Sequence, residues 1–150
     1  MKLSIRPAAS ADLPGMMALE KRAATAAHWS AQQYEALFGG HGPERIALII
    51  EDELGLAGFV IARVVDREWE IENIAVAGPA RRRGLGTRLL GELLDLVRGR
   101  GADAVFLEVR ESNRAARALY EKWAFVESGR RPRYNKDPED DAILYRLGSA

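Results

Sequence analysis

Cysteine is absent from this chain of 150 residues. Its absence excludes disulfide bonds, a thiolate nucleophile and any metal site built on cysteine ligands. Histidine is scarce as well: His28 and His41 stand far apart and offer no metal-ligand spacing. We therefore expect a protein that holds no metal ion.

Long apolar runs are also missing. No stretch approaches the roughly 18 residues that a membrane-spanning helix needs. The first segment, MKLSIRPAASADLP, lacks the apolar core of a secretory signal. The resulting expectation is a cytoplasmic protein that does not associate with membranes.

Neither sign of charge is in excess, because 22 Lys and Arg balance 22 Asp and Glu. This balance disfavours a nucleic-acid binder held by bulk charge, and aromatic residues are not interleaved with the arginines as they are in many RNA-binding surfaces. The arginines nevertheless form three clusters, at Arg81–Arg83, at Arg110, Arg114 and Arg117, and at Arg130, Arg131 and Arg133. Local sites for anions are therefore expected rather than a basic face.

The first half of the chain predicts two helices between a first strand and a set of three. The segment LSIRPA predicts a strand, and a helix over 12–27 follows, with Ser10 as its N-cap and Glu20 on its apolar face. A shorter helix is predicted after Ser30. RIALIIE and GLAGFVIARVVD predict a hairpin, and REWEIENIAV predicts a third strand.

The second half predicts a strand–helix–strand crossover. A leucine-rich helix follows Gly86, DAVFLEV has the nearly continuous apolar character of a parallel strand, and a helix spans about 112–123. AFVESGR and AILYRL predict two closing strands. Together these elements predict one domain over residues 1–150, with a three-layer α/β fold and a mixed sheet.

The third predicted strand contains an irregularity. Trp69 and Ile71 set one alternation of apolar residues, whereas Ile74 and Val76 follow the opposite one. This change of phase predicts a β-bulge, or burial on both faces, near Asn73.

Two glycines, Gly84 and Gly86, lie between that strand and the leucine-rich helix. A helix start exposes unpaired N–H groups at the positive end of the helix dipole, and glycine lets a ligand approach them. A phosphate-bearing ligand is therefore one explanation, and a helix start beside solvated arginines is the other. A Walker A loop needs a lysine where Thr87 stands, and a dinucleotide fingerprint needs a glycine where Leu89 stands, so neither motif is present.

The pattern Arg81-x-x-Gly84-x-Gly86 resembles the R/Q-x-x-G-x-G/A acetyl-CoA signature of the GNAT acetyltransferase superfamily. The resemblance implies the GNAT fold, an α/β fold whose mixed central sheet of six to seven strands has helices on both faces. It also implies acetyl-CoA as a cosubstrate, held by a splayed strand end and by loop amides around its pyrophosphate. The implied cofactor-binding residues are Ile74, Ala75, Val76, Arg82, Arg83, Gly84, Leu85, Gly86, Thr87 and Asn113.

The segment LEVRESNRAARALYEKWAF, residues 107–125, is similar to the bacterial ribosomal-protein-alanine N-acetyltransferases, the RimI-like branch. HWS at 28–30 and EDDAILYRL near the end of the chain are similar to that branch too. The implied acceptor is the N-terminal alanine of a small-subunit ribosomal protein. Two residues depart from the branch: Ala124 replaces a glycine, and Arg133 replaces the first of two tyrosines. The second departure bears on acceptor specificity.

Acetyl transfer to an amine requires a base for the amine and a proton for the departing thiolate. Glu108 is a lone carboxylate within an apolar strand, where desolvation would raise its pKa toward the range of a useful base. The alternative is a glutamate at an exposed strand end, and Glu70 and Glu72 are rival bases. Tyr120 is either a core residue or, as the resemblance implies, the acid that protonates the coenzyme A sulfur.

Several other candidate residues have both a structural and a functional interpretation. Asn113 is a helix cap or, by resemblance, a coenzyme A contact, and the N–H of Val76 is a candidate oxyanion donor. Arg114 and Arg117 form a solvated face or meet the 3′-phosphate of coenzyme A. The acidic run at 137–141 is a solvated turn or an attractor for an arginine-rich acceptor peptide.

The acceptor amine also has alternatives. A neutral lysine, with a pKa near 10.4, costs roughly 3 kcal/mol more to present at pH 7 than an α-amine with a pKa near 8, which favours the α-amine. An acetyltransferase for a small amine or a lysine side chain, and a non-catalytic acyl-CoA-binding module, remain alternatives. We expect a monomer.

Overall fold

The computed structural model describes residues 2–23, 26–27, 29–40, 42–78, 84–136 and 139–148. A 3₁₀ turn at Ser10–Asp12 precedes the first α-helix. The strands are β1 (Ser4–Pro7), β2 (Arg45–Asp52), β3 (Gly55–Val65), β4 (Glu68–Val76), β5 (Ala104–Arg110), β6 (Val126–Asn135) and β7 (Asp140–Gly148). The helices are α1 (Leu13–Glu20), α2 (Ala31–Ala36), α3 (Leu85–Gly99) and α4 (Arg114–Lys122).

The strands form one sheet of seven in the order β1-β2-β3-β4-β5-β7-β6. Neighbouring strands are antiparallel except β4 and β5, which are parallel and are joined through α3. The expectation of a mixed sheet with six to seven strands is thereby confirmed.

Helices cover both faces of the sheet. The stripe Leu85, Leu89, Leu90, Leu93 and Leu94 of α3 packs with Tyr120 of α4 on one face, which we call the α3/α4 face. Met16 and Leu19 of α1 and Tyr34 of α2 pack with Phe59 and Ala75 on the other, the α1/α2 face. Strands β2, β3 and β4 contribute residues to both cores, as the middle of a sheet covered on both faces requires, whereas β5 and β7 contribute to the α3/α4 core.

Helix α1 is shorter than the sequence predicts. It ends at Glu20 rather than at residue 27, and Ser10 begins a 3₁₀ turn instead of capping the helix. The side chain of Asp12 accepts the N–H of Ala9 in that turn (2.7 Å). Asn73 Oδ1 accepts the N–H of Ala27, which a helix reaching residue 27 would have engaged in its own backbone bonds, and the side chain of Glu20 at the end of α1 accepts the N–H of Trp29. Tertiary contacts therefore override the helical pattern here.

The expected irregularity of β4 is a β-bulge at Glu72. Asn73 pairs with Ile61 while Ile71 pairs with Ala62, so Glu72 is the additional residue. A bulge shifts the alternation by one position. Ile71 consequently packs on the α3/α4 face, whereas Asn73 continues the series of Ala75 and Ala77 on the α1/α2 face.

The two departures from the family pattern both adopt a left-handed backbone. Ala124 has φ 68° just after α4, and Arg133 has φ 54° at an irregularity of β6. Glycine adopts this conformation freely, whereas a residue with a Cβ is strained by roughly 1–2 kcal/mol. The left-handed backbone at residue 124 therefore explains why the family has a glycine there.

Among the helices that the structure describes, none is long and apolar enough to cross a membrane.

Candidate active site

Strands β4 and β5 separate partway along their length. They pair only over Glu68–Glu70 and Ala104–Phe106. Beyond this point β4 continues along β3 and β5 continues along β7. A cavity of about 580 Å³ lies at the gap, and its lining includes Ile71–Ile74 of β4 and Glu108–Arg110 of β5. The splayed strand end that the resemblance implies is therefore present.

Backbone groups of β4 face this gap. Ala77 donates its N–H to the carbonyl of Ala57 (2.8 Å), so these two residues form a hydrogen-bonded antiparallel pair. Hydrogen-bonded and non-hydrogen-bonded pairs alternate, and the next two non-bonded pairs contain Val76 and Ile74. Their N–H and C=O groups therefore point away from β3, toward the side from which β5 has separated. This is the geometry needed to bind an extended amide chain and to present the Val76 N–H to an oxygen.

The glycines at the start of α3 have different roles. Gly84 is the N-cap of α3 and has φ 75°, with no atom close to where a side chain would begin. Gly86 is buried, and a Cβ there would lie 3.1 Å from Leu119 of α4. Gly84 thus makes the turn, whereas Gly86 lets α4 pack closely against α3.

The N-terminus of α3 is suited to an anion because its first N–H groups and the positive end of the helix dipole meet there. Gly84, Leu85, Gly86 and Thr87 of the expected pyrophosphate loop lie at this turn. Arg82 and Arg83, the other two, lie outside the described residues. The diphosphate and pantetheine sites that the resemblance to GNAT enzymes implies would lie at this turn and along the gap.

Glu108 lies on the α1/α2 side of β5. Leu107 packs into the α3/α4 core, so alternation directs the next side chain to the opposite face. The carboxylate lines the cavity and lies 3.0 Å from a guanidinium nitrogen of Arg131. The expectation of a lone, desolvated carboxylate is wrong, because the side chain is 28% exposed and forms an ion pair.

Tyr120 reaches the same cavity from the α3/α4 side. It is 4% exposed, and its burial raises the pKa of the phenol well above the ordinary value, so the hydroxyl keeps its proton at neutral pH. Within the part of the chain that the structure describes, this hydroxyl has no hydrogen-bond partner. The gap thus brings together an acidic side chain from one face and a hydroxyl from the other.

The rival glutamates on β4 are engaged by arginines. Both carboxylate oxygens of Glu72 bond to Arg45 (2.8 and 3.3 Å), and Glu70 bonds to Arg63 (2.6 Å). Of these two glutamates, only Glu72 lines the cavity. Its side chain is 14% exposed and that of Arg45 is 20% exposed, so this pair is more enclosed than the Glu108–Arg131 pair.

The start of α4 also reaches the cavity. Asn113 caps the helix by accepting the N–H of Ala116 (3.2 Å), and it lines the cavity as well, so its two interpretations are compatible. Arg117 instead bonds to the hydroxyl of Tyr145 and to the carbonyl of Glu111. Arg114 lines the cavity and forms no ion pair with any other residue that the structure describes.

Sequence reasoning missed two features near the site. The ion pair of Glu108 with Arg131 joins residues on β5 and β6 and left no signal in the sequence. A buried hydrogen-bonded cluster of Glu20, Tyr34 and Asn73 also borders the site. The sequence did carry a sign of this cluster: Glu20 is a carboxylate on an otherwise apolar helix face, and the apolar alternation of β4 changes phase near Asn73. His28 lies outside the described residues, as does Asp137 of the acidic run.

Both the sequence and the fold are similar to those of known acetyltransferases. The model of the acetyltransferase (GNAT) family matches residues 13–125. The [ribosomal protein bS18]-alanine N-acetyltransferase of Salmonella typhimurium is 39% identical over 138 residues, which cover 91% of this chain and 90% of that protein. The crystal structure of the ribosomal-protein-S18-alanine N-acetyltransferase from Escherichia coli superposes with a TM-score of 0.84 at 33% identity, covering 98% of this chain and 94% of that one.

A more distant structure shares the fold. Arabidopsis thaliana NAA60 in complex with acetyl-CoA superposes with a TM-score of 0.85 at 18% identity, covering 98% of each chain. Acetyl-CoA is the acetyl donor of GNAT enzymes, in agreement with the cosubstrate expected from the sequence. The family match and the Salmonella relative, which both extend over most of the sequence, settle the classification: the chain belongs to the acetyltransferase (GNAT) family.

Proposed function

We propose that this protein transfers the acetyl group of acetyl-CoA to the N-terminal amine of a ribosomal protein, with alanine as the preferred first residue. The observation that carries the proposal is the cavity at the β4–β5 gap, which Glu108 and Tyr120 line from opposite faces of the sheet. The bS18-alanine N-acetyltransferase of Salmonella, similar over nine-tenths of both chains, supports the choice of acceptor.

The donor enters from the α3/α4 face in this proposal. The N–H groups at the start of α3 bind its diphosphate, and the backbone of Ile74 and Val76 binds the pantetheine arm. Ala75, between them, points its side chain into the α1/α2 core and its N–H and C=O toward β3, so it sets the spacing of the two binding residues and offers the donor no hydrogen bond. Asn113, at the edge of the cavity, is the further proposed contact of the donor.

The acceptor approaches from the α1/α2 face, where Glu108 lies. Acetyl transfer forms an amide bond at the amine nitrogen and breaks the carbon–sulfur bond of the thioester. Glu108 accepts the proton that the amine loses, and Tyr120 donates a proton to the departing sulfur. The Val76 N–H donates a hydrogen bond to the carbonyl oxygen as negative charge develops on it.

The ion pair with Arg131 is compatible with a base role for Glu108. The guanidinium side chain is 51% exposed, and a pair of this kind contributes only about 0–1 kcal/mol, so it opens at small cost. The positively charged amine of the acceptor can take its place at the carboxylate. An α-amine, with its pKa near 8, then needs less help from the base than a lysine would.

A panel of acceptors tests the proposed function. With acetyl-CoA, we expect a peptide beginning with alanine to be acetylated on its α-amine, and the same peptide with a blocked N-terminus and an internal lysine to be at least about tenfold slower, because of the higher pKa of lysine. Mass spectrometry of the products locates the acetyl group, and release of coenzyme A gives the rate.

Polyamines and aminoglycosides complete the panel. Turnover of these small amines without turnover of any peptide would overturn the proposed acceptor and leave the acetyltransferase chemistry in place. Tight binding of acetyl-CoA with no turnover of any amine would instead indicate an acyl-CoA-binding module.

A further inference from the structure

A buried polar cluster lies beside the cavity, within the α1/α2 core. Its members are the side chains of Glu20, Tyr34 and Asn73, and the three residues are 4%, 1% and 2% exposed. The amide nitrogen of Asn73 donates to Glu20 Oε1 (3.2 Å) and to the hydroxyl oxygen of Tyr34 (3.0 Å). Burial and the neighbouring Glu20 carboxylate raise the pKa of Tyr34, so this phenol stays neutral.

The cluster holds the connection between α1 and α2 against the sheet. Asn73 Oδ1 accepts the backbone N–H of Ala27 (2.8 Å), and Glu20 Oε1 accepts that of Trp29 (2.6 Å). These two side chains therefore bind the main chain on both sides of residue 28. The described part of this connection has no regular secondary structure, so its backbone groups depend on such partners.

The same connection forms part of the cavity wall. Ala26, Ala27 and Asn73 line the cavity, whereas Glu20 and Tyr34 do not. Asn73 is thus the one member of the cluster that reaches both the cavity and the loop. The bulge at Glu72 makes this possible, because regular alternation would have directed Asn73 to the α3/α4 face along with Ile71.

Unpaired polar groups in a core are costly, by about 1–3 kcal/mol each. A cluster of this kind is stable only in the arrangement that satisfies its members. The described hydrogen bonds engage the oxygen and the amide nitrogen of Asn73, which fixes the orientation of its side chain. The distance between the loop at Ala27 and strand β4 is fixed with it.

We propose that Asn73 is a positioning residue for the acceptor: by holding the main chain at Ala27 it sets the width of the cavity on the side where the acceptor enters. This inference depends on the proposed function, because it takes the α1/α2 face as the acceptor's side. The donor contacts proposed above, at the start of α3, along the backbone of Ile74 and Val76 and at Asn113, do not include the side chain of Asn73.

The test compares Asn73→Ala with Tyr34→Phe, both measured against the wild type with a peptide that begins with alanine. Asn73→Ala deletes the acceptor of the Ala27 N–H. We therefore expect the peptide KM to rise about tenfold, which corresponds to the contribution of one hydrogen bond. The kcat at saturating peptide and the KM for acetyl-CoA should each change less than about twofold. Tyr34→Phe removes a buried hydroxyl but leaves the bond to Ala27, so we expect a lower melting temperature with the peptide KM within about twofold.

The outcomes separate the two proposals. If the wild type acetylates no peptide, the proposed function fails. If the wild type is active and folded Asn73→Ala keeps the wild-type peptide KM, or if Tyr34→Phe raises that KM as much, the positioning role is wrong.

A measurement on the wild type covers the case in which Asn73→Ala does not fold. We expect the backbone amide of Ala27 to exchange its hydrogen at least about tenfold more slowly than an unstructured chain, because Asn73 accepts its N–H. NMR resolves this amide individually. Exchange at the unstructured rate would show that the bond does not persist in solution and would overturn the proposal.

Discussion

We expect the replacement of Glu108 by glutamine to lower kcat by about 10²–10⁴-fold, the usual contribution of a general base, and to leave the affinity for acetyl-CoA at the wild-type level. Glutamine keeps the shape of the side chain and its place beside Val109 but accepts no proton. The carboxylate is partly exposed, so the variant introduces no buried unpaired group and should fold normally. Steady-state rates with an alanine-starting peptide, combined with calorimetry of acetyl-CoA binding, measure both quantities.

Glu72→Gln is the matched control because Glu72 is the rival carboxylate that lines the same cavity. Its two oxygens are held by Arg45, so its loss should change kcat only a few-fold. A large loss in Glu72→Gln together with a nearly normal rate in Glu108→Gln would move the base to β4.

Tyr120→Phe has the second largest expected effect, a loss of about 10²-fold in kcat at an unchanged peptide KM. The hydroxyl makes no hydrogen bond to any described residue, so its removal leaves no described partner unpaired. The ring keeps its contacts with Phe125 and Tyr145, at centroid distances of 5.7 and 6.4 Å. A loss of activity without a loss of stability is therefore the expected signature, read from rates and thermal melting.

Tyr145→Phe is the matching control on the neighbouring ring. Its hydroxyl donates to Glu121 (2.6 Å) and accepts from Arg117 (3.0 Å), outside the cavity lining. We expect it to lower the melting temperature and to leave kcat within about twofold. Equal rates in Tyr120→Phe and the wild type would remove the acid role from Tyr120.

The two sides of the sheet have separate tasks in this account. The α3/α4 side offers a helix N-terminus and a buried hydroxyl, and the α1/α2 side offers a carboxylate and a loop held by Asn73. They meet only at the gap where β4 and β5 separate. The parting of two parallel strands therefore creates the site, because a continuous ladder would keep donor and acceptor on opposite faces.

Much of the fold was predictable because its signals are local. The β-branched residues of β2 and β3, the leucine stripe of α3 and the position of Ser30 before α2 each depend on residues close together in sequence. The bulge in β4 was also predictable, since a shift of phase in an apolar pattern directly reflects an additional residue.

The features that failed or were missed are nonlocal. The end of α1 at Glu20 depends on side chains of Asn73 and Glu20 that accept main-chain N–H groups beyond it. The environment of Glu108 depends on Arg131, two strands away in the sheet order. The pattern within one element marks Glu20 and Asn73 as unusual but identifies no partner for either, and it gives no sign of Arg131, which is why the sequence predicted a longer helix and a solitary carboxylate.

The most direct test of the account is a crystal structure with a bisubstrate compound in which coenzyme A is joined to the amine of an alanine-starting peptide. We expect its diphosphate at the N-terminus of α3, its arm along Ile74 and Val76 in the gap, and its peptide nitrogen within hydrogen-bond reach of Glu108, directly or through one water. A peptide nitrogen beside Glu72 and remote from Glu108, or a coenzyme A moiety bound away from the start of α3, would contradict the account.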